Sequence, residues 1–351
     1  MKTFILSVIF PVMITSLSAQ NPNKQKEYYK KGIELHDQQL FDEAIATYLE
    51  AYNLDSLSEL APDILYEIAF SNHSLKKYAD AEKYSRLSIA KDPAEIHKYI
   101  LLGSILDDSE RQEEALEIYH KAFQMAENSD NKKLAGNLSF NMGITYFRNN
   151  DFENAEKYLL HAVKSRPFHF RSNFLLAQAR VEQQKANLAI FNLFYVIFLD
   201  QKEEACNHEN TFRFIINLIR RGVDYKNTEK GSIQFDPENK DMGELMRQML
   251  VMAFYLPEKE KEYTDERTEF LKLTKEYFSA MKPMGESTWS TYGERFLHNV
   301  AKTDHYETFY CLVTSRIYEE SREWLLKNES RVLELQAWTD YSGSENEETA
   351  E

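Results

Sequence analysis

Glycine and proline are scarce in this chain, at 10 and 8 of 351 residues. That shortage excludes collagen-like and turn-rich low-complexity polymers, and a hydrophobic share of 43% excludes wholesale disorder. Only two cysteines occur, Cys206 and Cys311. They are too few to build a disulfide scaffold, and their spacing carries no metal-site signature; spacing alone leaves open a single bridge or two buried thiols. Catalytic signatures are missing as well: there is no His-Glu-x-x-His, no Gly-x-Ser-x-Gly, no phosphate-binding glycine loop and no Cys-x-x-Cys. No enzymatic activity, cofactor or metal is therefore expected. Nor does any basic stripe offset a formal charge of −15, so nucleic acid is excluded as a partner and anionic membrane surfaces are disfavoured.

A single conspicuous apolar run opens the chain. Residues 1–19 read MKTFILSVIFPVMITSLSA, with Lys2, an apolar stretch from Phe4 to Ile14 broken by Pro11, and small residues after it. This is the layout of a secretory signal peptide, and it is short for a membrane span. Cleavage is expected after Ala19, with Ser18 as the other choice; an uncleaved anchor is the alternative. No cysteine follows the run, which speaks against a lipoprotein. The expected address is outside the cytoplasm, in the periplasm of a Gram-negative bacterium or secreted, with no membrane insertion after cleavage.

What the chain does have is a repeat. Small residues recur at Gly32, Ala69, Gly103, Gly143 and Ala177, separated by 37, 34, 40 and 34 residues. Twelve residues beyond each stands an alanine: Ala44, Ala81, Ala115, Ala155 and Ala189. Nine beyond stand Phe41, Tyr78, Gln112, Phe152 and Ala186. Helices that cross about 8–10 Å apart need little or no side chain at the crossing, and a hairpin that cannot bury its own apolar face stacks on its neighbours. In this layout residues 24–204 resemble the tetratricopeptide repeat (TPR) family, whose period is about 34 residues. The repeats lie near 25–57, 62–94, 96–128, 136–168 and 170–202, the fourth ending at Pro167. The fold expected is all-α: a TPR α-solenoid of about five helical hairpins, a C-terminal helical domain over 205–340, and an acidic disordered tail over 341–351. Ten of the eleven residues Ala189–Leu199 are apolar, which predicts a helix buried on all sides against the C-terminal half.

The family resemblance implies a concave groove lined by the first helix of each repeat. Its places fall on Tyr29, Ile33 and His36; on Tyr66, Phe70 and His73; on His97; on Phe140, Ile144 and Phe147; and on Phe174. His36 and His73 hold equivalent places in adjacent repeats, where a stack of the two is conceivable. One subgroup of the family grips a carboxylate terminus with Lys, Asn and Arg; the matching places here are Tyr29, Ile33, Glu67, His97 and Leu101, with no fixed positive charge. The partner implied is instead a protein or peptide with an apolar or aromatic segment. The protein's own C-terminal helices or a second copy could fill the same groove.

Beyond 204 the repeat pattern stops. Apolar periodicity predicts a helix over 210–221 with Phe214, Ile215, Leu218 and Ile219 inward, a loop over 223–241, and a helix over 242–256 bearing Met246, Met249 and Met252. A long helix follows over 258–281, then one capped by Ser287 and one capped by Asp304 with Glu307 as a capping box. A single last helix carries Trp324, Leu325, Val332, Leu335 and Trp338. His298 and His305, seven apart, share a face only if one helix runs unbroken past Thr303, where with Asp304 and Glu307 they could form a metal or acid–base group; the reading preferred is a break near Thr303 and surface histidines. The function implied is an exported scaffold that binds a partner in its aromatic groove. Two other readings stay open at this point: an enzyme or metal-binding protein with a site between the halves, and a self-associating structural protein.

Overall fold

The computed structural model describes residues 22–129, 131–200, 206–221, 223–224, 232–233, 265–280 and 291–347. The expected signal peptide, the methionine-bearing helix and Ser287 lie outside them. Within them the protein is all-α, with sixteen helices and one two-residue antiparallel ladder in the expected loop, β1 (Val223–Asp224) with β2 (Ser232–Ile233). Among these residues no helix is long and apolar enough to cross a membrane.

Five consecutive hairpins come first: α1 (Pro22–Asp37) with α2 (Phe41–Leu54), α3 (Ala61–Ser74) with α4 (Tyr78–Lys91), α5 (Ile96–Asp108) with α6 (Gln112–Asn128), α7 (Lys132–Arg148) with α8 (Phe152–Ser165), and α9 (Phe170–Glu182) with α10 (Ala186–Leu199). Each second helix begins at the residue nine beyond the crossing position. The turn before it has one recipe. Gln39, Lys76, Glu110, Asn150 and Gln184 hold φ between 58° and 63°, a left-handed conformation that costs a residue with a Cβ about 1–2 kcal/mol. Two backbone bonds offset the cost. In the first turn Gln39 N–H donates to His36 O at 2.8 Å and Leu40 N–H to Leu35 O at 2.9 Å, satisfying carbonyls that the helix end would leave orphaned.

The chain divides into two compact units, Met1–Ala122 and Phe123–Glu351. The division falls inside α6 and not at residue 204, the boundary read from the end of the repeat pattern. In the N-terminal unit Ala44, Tyr48, Ala51, Ile64 and Ile68 form a core. Gly32 and Gly103 are indispensable there for space: a Cβ on either would overlap the ring of Tyr48 or Tyr119.

The C-terminal unit is built around α10. Every residue from Ala189 to Ile197 is buried, because the helix is enclosed by α11 (His208–Arg220), α12 (Glu266–Ala280), α13 (Tyr292–Ala301) and α14 (Tyr306–Thr314). Phe194 meets Phe278 at 5.0 Å between ring centroids, and Phe212 and Phe309 at 6.0 Å each. A polar lock accompanies the aromatic one. Arg180 of α9 is 1% exposed; its Nε donates to Glu156 Oε1 at 2.9 Å and its Nη1 to Glu294 Oε1 at 2.6 Å and Asn192 Oδ1 at 2.5 Å. Burial by itself would drive the guanidinium to lose its proton, but Glu294 and Glu156 hold it charged, above its ordinary pKa.

Four local expectations change. On α11 the buried aromatic is Phe212, in register with Ile215, Ile216 and Ile219, while Phe214 is 42% exposed; the spacing i, i+3, i+4, i+7 defines the core face and Phe214 falls off it. The capping box forms at Thr291 and Glu294, not at Asp304 and Glu307. There the Thr303 hydroxyl accepts the His305 N–H at 3.2 Å, and His305 itself is the residue before α14, in helical conformation and with no side-chain cap. The expected last helix is two, α15 (Glu319–Lys327) and α16 (Glu329–Glu347), parted at Asn328, whose ψ of 43° departs from the helix while its side chain bonds back to Trp324 O at 2.7 Å. Finally α16 runs to Glu347, past the start of the expected disordered tail.

Removing the guanidinium would leave Glu294 buried without its cation. Arg180→Ala is expected to cost about 3–5 kcal/mol, read as a lower urea midpoint, whereas Arg171→Ala on the exposed side of α9 should stay within about 0.5 kcal/mol.

Candidate functional site: an aromatic and acidic face on the first helices

In the N-terminal unit the first helices α1 and α3 bring several of the sequence-predicted residues together. His36 stacks on Phe70 with ring centroids 4.8 Å apart and planes 21° apart, and Phe70 continues to Tyr66 at 6.3 Å. Phe41 meets the other side of His36 edge-on at 4.9 Å. The imidazole is fixed by a 2.8 Å bond between Nδ1 and Ser71 Oγ, and burial lowers its pKa. The stack therefore joins His36 to Phe70 and not to His73, because Phe70, one turn earlier on α3, is the residue opposite His36. His73 turns instead to Asp108, with Nε2 to Oδ2 at 2.9 Å, and to the Tyr78 ring at 6.0 Å. Ile33 is half-buried against the core beside Tyr48. His97 is exposed and bound within its own turn to Glu95, 2.8 Å away, outside the ring line.

Glu67 lies on α3 between Tyr66 and Phe70, one turn before Phe70. Burial, then Asp63 and Asp37, raise its pKa to about 7. The Tyr29 phenol is pushed up to about 12 by burial and then by Glu67, Asp63 and Tyr66. Tyr48 is fully buried, and its hydroxyl has no hydrogen-bond partner. The equivalent Tyr119 bonds to Ser104 at 3.0 Å, and the place of Ser104 in the first repeat is held by Ile33, which offers nothing to a phenol. One half-buried carboxyl and two phenols thus gather beside an exposed ring, with Phe70 at 38% exposure. No cation joins this gathering among the described residues, and Glu67 stands where the carboxylate-gripping subgroup has an amide.

The predicted residues of the C-terminal unit are placed differently. Phe147 packs edge-on to Phe152 at 5.3 Å, and both Phe147 and Phe140 lie against the core of α8 and α9. Phe140 also meets the His169 ring at 5.0 Å, with the Arg166 guanidinium 6.0 Å from its centroid. Burial, then Arg166 and Arg171, lower the His169 pKa. Phe174 stacks on Phe170 at 5.8 Å, and Ile144 is half-buried. These rings are partly spent on their own repeats. Of the other singled-out residues, His298 is buried with Nδ1 2.9 Å from Phe278 O, not at the surface, and His305 lies beside Trp338 at 5.9 Å. Cys206 and Cys311 are not bridged; Cys311 is buried, with its sulfur 2.9 Å from Arg267 Nη2. Glu67 and Tyr48 belong to the face but carry no sequence signal of their own. A carboxylate where the carboxylate-gripping subgroup has an amide was the one available hint.

A carboxyl whose pKa is raised in the fold contributes stability that is complete below its unfolded value and lost as pH rises through the folded one. Glu67 should thus cost the N-terminal unit stability between about pH 4.5 and 7. Glu67→Gln is expected to leave stability at pH 4 nearly unchanged and to raise it by about 1 kcal/mol at pH 8, after allowance for partial access of water. Urea unfolding of both proteins at the two pH values checks this.

Residues 95–167 and residues 140–197 each match a family model described as tetratricopeptide repeat. Among curated proteins, response regulator aspartate phosphatase I of Bacillus subtilis (strain 168) is 22% identical over 159 residues, 44% of this chain and 39% of that protein, so the chain spans well under half of that relative. Among solved structures, MamA from Desulfovibrio magneticus RS-1 is 15% identical with a TM-score of 0.45, covering 52% of this chain and 98% of that one. YrrB, described as a TPR protein with an unusual peptide-binding site, is 17% identical with a TM-score of 0.42 over 54% and 92%. PilF of Pseudomonas aeruginosa is 14% identical with a TM-score of 0.44 over 57% and 91%. These likenesses are too distant to bear on partner or pathway. The stretch of this chain that these tetratricopeptide-repeat models match is residues 95–197.

Proposed function

We propose that the protein is an exported scaffold that holds an apolar or aromatic segment of a protein partner on the first-helix faces of its repeats. The repeats themselves support a protein-interaction scaffold. The observation that carries the finer reading is the ring line of the N-terminal unit. Phe70 is held between His36 and Tyr66 yet keeps 38% of its surface in water, so an apolar side chain laid on it gains contact area without any rearrangement of the protein. Rings fixed in advance lose little side-chain entropy on binding, which is why such faces suit recognition. In the C-terminal unit Phe140 and Phe147 offer a second, more enclosed set. Export is supported by the leader-like composition of residues 1–19.

The test is selection of displayed peptides on the purified mature chain, followed by affinity measurement on Tyr66→Ala/Phe70→Ala and Phe140→Ala/Phe147→Ala variants whose helicity is intact. Enriched peptides should be aromatic or aliphatic, and at least one pair of substitutions should weaken them tenfold or more, since burying a large apolar side chain stabilises by about 1.5–3 kcal/mol. Enrichment that neither pair affects, or no enrichment at all, overturns the groove. For export, the amino terminus of the protein recovered from the envelope fraction should be Gln20, or Ala19 for the alternative cut; a chain that keeps Met1 in the cytoplasm overturns it.

A further inference from the structure

Asp200, at the C-terminal end of α10, and the residues that lead into α11 bring three different donor groups together inside the C-terminal unit. Asp200 Oδ2 accepts the Cys206 N–H at 2.9 Å and lies 3.5 Å from His208 Nε2. The carboxylate oxygen, the Cys206 sulfur and the imidazole nitrogen all lie within 4.8 Å of one another. Asp200 and His208 are 7% and 3% exposed, and Cys206 is partly exposed, so the group has one open side. The local chain explains the meeting. Asn207 caps α11, accepting the Asn210 N–H at 2.8 Å, and does so with an extended backbone, φ −78° and ψ 110°. Residues on either side of an extended residue project the same way, which turns Cys206 and His208 toward Asp200.

We infer that Asp200, Cys206 and His208 form a binding site for a divalent transition-metal ion of the zinc type. Oxygen, sulfur and nitrogen donors in one set suit zinc or cobalt and not calcium or magnesium, which take oxygen alone. Tetrahedral zinc, with bonds of about 2.0–2.3 Å, sets its donors roughly 3.3–3.8 Å apart. The carboxylate and imidazole already stand at that separation, and the sulfur reaches it by rotation about the Cys206 side-chain bond. Binding forms Zn–O, Zn–S and Zn–N bonds; the thiol proton passes to solvent, and the imidazole coordinates in its neutral form. Three protein donors leave a fourth position, on the open side, for water or an exogenous ligand. The Cys206 N–H, bonded to Asp200, orients the carboxylate as outer-sphere partners of metal ligands do. The bond from the Cys206 N–H to Asp200 asks only for the carboxylate, since any residue but proline at 206 would supply the N–H; the thiol and imidazole are what that bond does not require. This inference stands apart from the proposed groove.

The test uses the full mature chain, stripped with a chelator and titrated with cobalt(II). One equivalent should produce tetrahedral d–d bands in the visible and a thiolate-to-cobalt charge-transfer band in the near ultraviolet, both erased by one equivalent of zinc. Cys206→Ser should lose the charge-transfer band, and His208→Gln should weaken binding tenfold or more. Cys311→Ser should keep both signals, and circular dichroism should show each variant still helical. Zinc should also raise the melting temperature of the wild type and not of Cys206→Ser, a readout independent of colour. No charge-transfer band in the folded wild type, a band that survives Cys206→Ser, or one that disappears with Cys311→Ser overturns the assignment.

Discussion

A buried positive charge sets the terms for the C-terminal unit. The guanidinium of Arg180 is planar and donates in fixed directions, so its partners must arrive from particular sides: Glu156 from α8, Asn192 from α10 and Glu294 from the first turn of α13. Glu156 is itself held from its other oxygen by Lys185 at 2.5 Å and Gln183 at 3.0 Å. Glu294 meanwhile returns its second oxygen to the Thr291 N–H at the start of its own helix. A hydrophobic surface tolerates sliding, since leucine and phenylalanine contacts exchange at small cost. This network does not, because any slip would strand a charge in an apolar interior at several kcal/mol. Apolar burial supplies the drive for α10 to be enclosed, and the network selects which faces enclose it.

The N-terminal unit solves a different problem with the same repeat. Two of its crossings, at Gly32 and Gly103, are sealed by the rings of Tyr48 and Tyr119, each of which carries a hydroxyl. Ser104 satisfies one of them, and the first repeat leaves the other beside a carboxyl that burial keeps largely protonated at mildly acid pH. Polar groups left incompletely satisfied next to an exposed ring are costly for a fold and useful for recognition, since a partner can complete them.

The hairpins were legible because their signal is local. A small residue, an alanine twelve places on and a helix start nine places on are all consequences of two neighbouring helices touching, and they repeat with the contact. Even the aromatic places of the first helices could be named. What escaped the sequence depends on residues far apart along it. Arg180 and Glu294 are 114 positions apart, and nothing in either segment marks the other. The same holds for Phe212 in place of Phe214, since a one-turn apolar cluster fits two helix rotations until the facing helices choose. The capping box at Thr291 and Glu294 went unread while Asp304 and Glu307, which match the same motif, form none, because only the local backbone decides which match becomes a cap. His36 stacks on Phe70 and not on the equivalent His73, since repeat equivalence says which residues are alike and not which residues meet.

The enclosure of α10 also has a temporal side. The ribosome delivers this helix well before the residues of α12, α13 and α14 that cover it, so for the time taken to make the chain as far as Thr314 it is a fourteen-residue apolar rod with incomplete cover. The repeats upstream can fold as they emerge, since their contacts are between sequence neighbours, but the last one must wait. Nascent chains in that state are the natural clients of chaperones, and a stop codon or proteolytic cut between α10 and α14 would leave behind a well-formed array with an adhesive end.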